Sequence, residues 1–148
     1  MFKIVSNLTA WWPVTVLEPD NDNPGTLKEE TFEVEFVIRG RNELKVNQDE
    51  RKALVKQLPS GDDFLSDHAA ATAKGEKIGA KIEAHDRKMD HLSIKNWRGI
   101  LDEHGNPLPF TAAALDMALN HDRIRAALNK AFEEAVSNDK ARVGNSKA

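Results

Sequence analysis

The chain has 148 residues, no cysteine and a formal net charge of −3. This length suits one domain with a sizeable core, and the absence of cysteine excludes disulfides, thiolate zinc sites and cysteine nucleophiles. No apolar run approaches the roughly 20 residues of a membrane-spanning helix, and neither half of the chain has the concentrated positive charge that phosphate binding requires. We therefore expect neither membrane nor nucleic acid as a partner. Residues 1–14 lack a signal-peptide pattern, which predicts a cytoplasmic location.

Residues 1–45 predict strands. Residues 32–38 alternate apolar side chains with glutamates, which is typical of a half-buried strand. Residues 11–19 form a second candidate strand, and Pro13, which has no amide hydrogen to donate, places it at a sheet edge or at a strand start. The turn formers of residues 20–26 between them predict a hairpin. Residues 2–5 are a candidate third strand.

Residues 46–137 predict mainly helices. One helix is expected from a cap at Asn47 to Pro59, while residues 60–81 fit either a broken helix or a mobile segment. A further helix carries apolar residues from Ile78 onward and is expected to reach Trp97. The strongest periodicity predicts a last helix over residues 122–137. The fold class is thus α+β, with an N-terminal hairpin or small antiparallel sheet, a mainly helical C-terminal part, and a disordered tail over 138–148; residues 1–137 are expected to form a single domain.

Residues 96–111, NWRGILDEHGNPLPFT, join two predicted elements. Gly105 is expected at a positive φ in a tight turn, and the flanking prolines should keep the return extended. Thr111 is a candidate helix cap, with Phe110 packing on Leu115 as a hydrophobic staple. Trp97 is expected in the core, which makes the segment a brace between elements rather than a substrate loop.

Catalytic and ligand-binding patterns are largely missing. The chain contains no Walker loop, no dinucleotide fingerprint and no GxSxG. His85 and His91 lie six residues apart, about 120° from each other on a helix, whereas a helical metal pair needs a spacing of four. We expect no enzyme, no cofactor and no metal, although a metal-dependent or acid–base enzyme that uses the His85–His91 region stays open as an alternative.

The brace and the two helices after it resemble the tail assembly chaperones of long-tailed bacteriophages and prophages. That family shows a tryptophan-glycine pair, an acidic turn with glycine, a Pro-Leu-Pro-Phe-Ser/Thr step and an R-x-A-L-x-x-A helix. The resemblance is sharpest over residues 94–137, under a third of the chain, and the alternating strand at residues 32–38 also suits the family's strand-containing start. The matching positions are Trp97, Gly99, Asp102, Gly105, Pro107, Leu108, Phe110, Thr111, Arg125, Leu128 and Ala131. The nine candidate protein-binding or family-motif residues are Trp97, Gly99, Gly105, Pro107, Leu108, Phe110, Arg125, Leu128 and Phe132.

The resemblance implies a non-catalytic, ATP-independent protein of the host bacterial cytoplasm that is absent from the mature virion. Such a protein would bind and solubilise the tape measure protein and help recruit tail tube subunits, and we expect it to form a homo-oligomer. The alternative within the same setting is a small virion structural protein, such as a connector or a tail component.

Overall fold

The computed structural model describes residues 1–137, so the predicted disordered tail lies outside the described residues. The fold is α+β, as the sequence predicts. In chain order the elements are β1 (Leu8–Pro19), β2 (Leu27–Ile38), α1 (Arg41–Val55), α2 (Gly61–Ser66), α3 (His68–Ser93), β3 (Ile94–Arg98), α4 (Ala112–Leu119) and α5 (Asp122–Val136).

The elements fall into two compact units. The first, called the sheet unit, combines Met1–Ile38 with the chain from Ile94 onward, and the second, called the helical unit, is Arg39–Ser93. The helical unit is therefore an insertion between the second and third strands. A single domain over residues 1–137 stays a prediction.

The sheet has the order β1-β2-β3, and both pairings are antiparallel. β1 is an edge strand, as Pro13 predicts, and it pairs with β2 along its whole length. The third strand is β3, so the prediction of a strand at residues 2–5 is wrong: that segment has no regular secondary structure.

The prediction that a helix reaches Trp97 is also wrong, because α3 ends at Ser93 and Trp97 belongs to β3. Ile94 and Trp97 are both buried although they lie three residues apart, a spacing that looks helical in the sequence. The cause is a β-bulge, since Phe36 pairs with Ile94 while Glu35 pairs with Asn96. One extra residue in β3 shifts the strand alternation and hides its period of two.

The core of the sheet unit lies between one face of the sheet and the last two helices. Its most deeply buried side chains are Phe36, Leu115, Val14 and Val34. The apolar stripe of α5 predicted from the sequence faces this core. Trp11 and Trp12 point to opposite faces, as strand alternation predicts: Trp12 packs against the core, while the guanidinium of Arg98 lies 4.1 Å from the Trp11 ring centroid.

Two predictions in the helical unit require correction. α1 begins at Arg41, with Gly40 as its N-cap, so Asn47 lies inside the helix and does not start it. The segment over residues 60–81 divides into α2 and a continuous α3 that runs through its glycines. A Cβ at Gly75 would lie 3.8 Å from the Pro59 ring, so this glycine faces a neighbouring chain segment and does not interrupt the helix.

α2 begins with a capping box that the sequence analysis did not identify. The Ser60 hydroxyl accepts a hydrogen bond from the Asp63 amide, and the Asp63 carboxylate accepts one from the Ser60 amide. The hydrogen bond from the Ser60 amide is the largest cause that lowers the pKa of Asp63, because it favours the ionised carboxylate. The box fixes the start of a helix that is only six residues long.

Candidate interaction surfaces

The brace, residues 96–111, contains a short hairpin. Leu101 and Pro107 form an antiparallel bridge, and Asp102 exchanges hydrogen bonds with Asn106 across the turn. Gly105 has the positive φ, +79°, that the sequence predicts. Left-handed backbone of this kind costs a glycine little and other residues more. The turn is therefore fixed by its own backbone bonds and by one carboxylate.

Trp97 holds the two ends of the brace together. Its indole Nε1 donates a hydrogen bond to the Leu108 carbonyl at 2.9 Å, and its ring meets Phe110 edge-on with a centroid distance of 5.1 Å. The residue is 6% exposed and pairs with Val34 in the sheet. The prediction that Trp97 belongs to the core is confirmed.

Gly99 lets the brace turn away from the sheet. Its φ is +83°, and a Cβ built there would lie 3.7 Å from the Phe32 backbone. The space itself is adequate, so the backbone conformation is what favours glycine here.

The brace leads into α4 and α5 through a cap and a cross-helix bond. Thr111 caps α4 as predicted, because its hydroxyl accepts a hydrogen bond from the Ala114 amide. Arg125 donates to the Leu119 carbonyl at 2.8 Å and so ties α5 to the end of α4. Phe132 meets Phe36 edge-on at 5.4 Å. Leu128 is buried as well.

A groove of about 470 Å³ lies beside the brace, and we call it the brace groove. The sheet forms one wall, the brace a second, and α4 with the start of α5 a third. Its lining is Val16, Glu18, Glu30, Thr31, Phe32, Trp97, Gly99, Ile100, Leu101, Leu108, Ala114, Met117, Ala118, His121 and Ile124. Pockets that take drug-sized groups have volumes of about 300–1,000 Å³, so the groove is large enough for a few side chains.

The brace groove is mostly apolar, with charge at one rim. Leu101 and Met117 are 60% and 58% exposed, which is high for large apolar side chains beside a cavity. The rim carries Glu18, in an ion pair with Arg123 at 3.1 Å, and Glu30. The chemistry suits an apolar peptide segment with some positive charge.

Three of the nine candidate protein-binding residues line the brace groove, namely Trp97, Gly99 and Leu108. The other six shape the turn or pack in and around the core. Sequence reasoning missed Phe32, Leu101 and Met117. Leu101 and Met117 carry a signal, since each is a large apolar residue at a position that neither a helix stripe nor a strand face explains.

The helical unit offers the second candidate surface. Only Ala71 and Ile78 are buried there, and α1 buries no residue. Seven large hydrophobic side chains of this unit are exposed: Leu44, Val46, Val55, Leu58, Phe64, Leu65 and Leu92. Leu44 and Val55 are eleven residues apart, which puts them on one side of α1, within about 20° of each other. A helix pair with so little buried apolar area resembles part of a larger bundle.

The His85–His91 region does not converge into a metal site. His85 Nδ1 lies 3.8 Å from Glu50, and Arg51 makes two hydrogen bonds to Asp86, at 2.9 and 3.2 Å. The Asp86 carboxylate raises the pKa of Arg51. No cluster of three or more His, Cys, Asp or Glu side chains able to hold a metal occurs within residues 1–137.

In comparisons with protein-family models, with curated proteins and with solved structures, the chain has no match. The likeness to tail assembly chaperones therefore rests on the motif residues of 94–137. Across the part of the chain that the structure describes, no helix combines the length and apolar character needed to cross a bilayer.

Proposed function

We propose that this protein is a bacteriophage tail assembly chaperone, a non-catalytic coat that binds the tape measure protein and keeps it soluble. The observation that carries the proposal is the surface. Among the described residues, seventeen large hydrophobic side chains are exposed against thirteen buried hydrophobic residues. Contiguous exposed apolar patches mark sites that bind other proteins, and seven of these seventeen side chains belong to the helical unit.

The helical unit supplies the surface for the tape measure protein in this proposal. A tape measure is a long helix with exposed apolar stripes, and α1 and α3 pack together with only two buried residues. Adding a partner helix along Leu44 and Val55 would complete a bundle and bury apolar area on both chains, which favours binding at about 25 cal/mol per Å². Such binding needs no nucleotide, because it lowers the free concentration of the aggregating chain by mass action.

The remaining parts of the proposal follow from the family resemblance. The coated tape measure would recruit tail tube subunits in the host bacterial cytoplasm, and the chaperone would leave before the virion is complete. The resemblance is sharpest over residues 94–137, where the Trp97–Phe110 contact and the fixed turn of the brace shape one side of the groove.

Co-expression with the longest helical protein encoded downstream of this chain tests the proposal. We expect the long partner to become soluble and to co-purify with several copies of this protein. Val55→Asp should reduce co-purification by at least about tenfold, since an unpaired carboxylate in an apolar contact costs more than 1.4 kcal/mol. Val46→Asp is the matched control, because Val46 is exposed on the opposite side of α1 and should leave co-purification unchanged.

Two results would contradict the proposal. If the long partner stays insoluble and unbound while both chains are well expressed, the protein does not coat it. If the chain is present at stoichiometric levels in purified particles, it is a virion structural protein. Unchanged binding in the Val55→Asp variant would show that this face of α1 is not the contact surface.

A further inference from the structure

The segment that precedes β1 is apolar and has no partner within the chain's own core. Residues 1–7, which we call the arm, have no helix or strand, and Phe2 and Ile4 are 91% and 86% exposed. Lys3 is the only charged side chain among these seven residues. Exposing an aromatic and a branched side chain to water is unfavourable relative to burying them. The arm therefore gains stability from any apolar cavity that it can reach.

We infer that the arm of one copy docks in the brace groove of a second copy, with Phe2 and Ile4 inserted between the sheet, the brace and α4. Both partners are surfaces of this chain, so the inference stands independently of the tape measure proposal. The docking joins copies head to tail.

Apolar complementarity is the first reason for this occupant. Leu101 and Met117 line the groove and are exposed to solvent, and Ile100 is partly exposed. The volume of the groove, about 470 Å³, accommodates a few side chains. An extended peptide places alternate residues on one side, so Phe2 and Ile4 point the same way. Two apolar side chains at this spacing enter one groove without bending the arm.

Charge complementarity is the second reason. The end of the hairpin beside the groove, residues 18–30, has five acidic residues and one lysine, a formal charge of −4. Arg123 neutralises Glu18 in part, and Lys28 lies 3.6 Å from Glu30. The net charge that remains at this end of the hairpin is negative, whereas Lys3 makes the arm positive. Opposite charges of this kind steer the approach of the two surfaces and fix which way they meet.

Chain geometry favours a contact between copies over the same contact within one copy. The arm leaves the sheet at Leu8, whereas the groove's residues on β1 and β2 lie level with Val14 to Glu18, and only Trp97 of β3 lies nearer, level with Trp12. Six residues of strand cover about 20 Å. Ile4 is four residues from Leu8 and reaches at most about 14 Å, even if the chain reverses at once. Phe2 and Ile4 therefore cannot both reach the part of their own groove that β1 and β2 line.

The arm and the groove are at opposite ends of the hairpin, which sets the form of the assembly. After one contact, each pair still has one free arm and one free groove. Heterologous contacts of this kind build rings or open chains rather than closed two-fold dimers. The chain length then depends on protein concentration.

Mixing two complementary variants tests the inference. Phe2→Ser with Ile4→Ser removes the arm's apolar side chains, and Met117→Glu puts a charge in the groove. We expect the wild type to form concentration-dependent oligomers in sedimentation, and each variant to be at least about tenfold weaker in self-association. An equimolar mixture of the two should form a one-to-one pair and nothing longer, since only one arm and one groove remain intact. Leu65→Ser, a change of an exposed leucine in α2, is the matched control and should assemble like the wild type.

A covalent trap identifies the contact directly, because the natural chain has no cysteine. Ile4→Cys and Met117→Cys, carried on separate copies, should form a disulfide-linked pair under mild oxidation. Val46→Cys in place of Met117→Cys should not. A wild-type chain that is monomeric at all concentrations, oligomers that persist in the arm variant, or equal cross-linking at Val46 would each overturn the inference. Circular dichroism of every variant must match the wild type.

Discussion

Replacing Trp97 by alanine should destabilise the sheet unit strongly. The ring is 6% exposed and lies between the sheet and the return strand of the brace. Truncating a buried tryptophan to alanine costs about 3–5 kcal/mol. Within that total, the hydrogen bond from Nε1 to the Leu108 carbonyl contributes about 1 kcal/mol, and the edge-on contact with Phe110 contributes about 0.5–1.5 kcal/mol.

A second substitution separates the contribution of the indole hydrogen bond to stability from that of the buried ring. Trp97→Phe keeps most of the ring but removes the indole donor, so we expect a loss of about 1–2 kcal/mol. Trp11→Ala is the matched control, because Trp11 is a tryptophan of the same sheet that lies outside the core and contacts Arg98. That cation–π contact is worth about 0.5–1 kcal/mol at an exposed site.

Urea unfolding followed by far-ultraviolet circular dichroism measures all three variants, since tryptophan fluorescence changes with the substitution itself. In thermal unfolding, the Trp97→Ala loss corresponds to a Tm lower by roughly 6–20 °C for a chain of this size. If Trp97→Ala costs no more than Trp11→Ala, Trp97 does not anchor the brace. Unchanged stability together with lost partner binding would instead make Trp97 an exposed binding residue.

Three further predictions use other parts of the structure. Gly99→Ala should destabilise the protein by about 1–2 kcal/mol, because alanine is strained at a positive φ. Gly79→Ala inside α3 should instead stabilise the protein by about 0.5–1 kcal/mol. Equal effects of the two substitutions on the free energy of unfolding in urea would contradict this prediction. Arg125→Met should cost about 1 kcal/mol through the lost hydrogen bond to Leu119, and no loss of Tm would show that the bond is not formed in solution. The pKa of Asp63 is lowered in the folded protein, so ionised Asp63 stabilises the fold above its unfolded-state pKa, and this stability is lost as the pH falls through its folded-state pKa. Asp63→Ala should remove this acid-dependent loss of stability. An NMR titration that gives Asp63 a pKa at or above its ordinary value would refute the reasoning.

Local patterns were sufficient wherever a residue's role depends on its neighbours in sequence. The alternation of β2, the cap at Thr111, the positive φ of Gly105 and the stripe of α5 could all be predicted, because each follows from backbone geometry and the burial of one face. The tight turn of the brace belongs to the same group. The start of α1 was misplaced since Gly40 caps it with no side-chain hydrogen bond.

Contacts between segments far apart in the chain decided the third strand and the brace groove. β3 was hidden because a bulge places Ile94 and Trp97 three residues apart, and only pairing with β2 makes that segment a strand. The brace groove draws its lining from residues 16 to 124, so no local pattern contains it. For this protein the sequence by itself determined the alternation of β2, the cap of α4, the apolar stripe of α5 and the tight turn, since these depend on interactions within a few residues. The tertiary structure alone decided which strand completes the sheet and where an open apolar groove remains, because both depend on contacts between segments far apart in the chain.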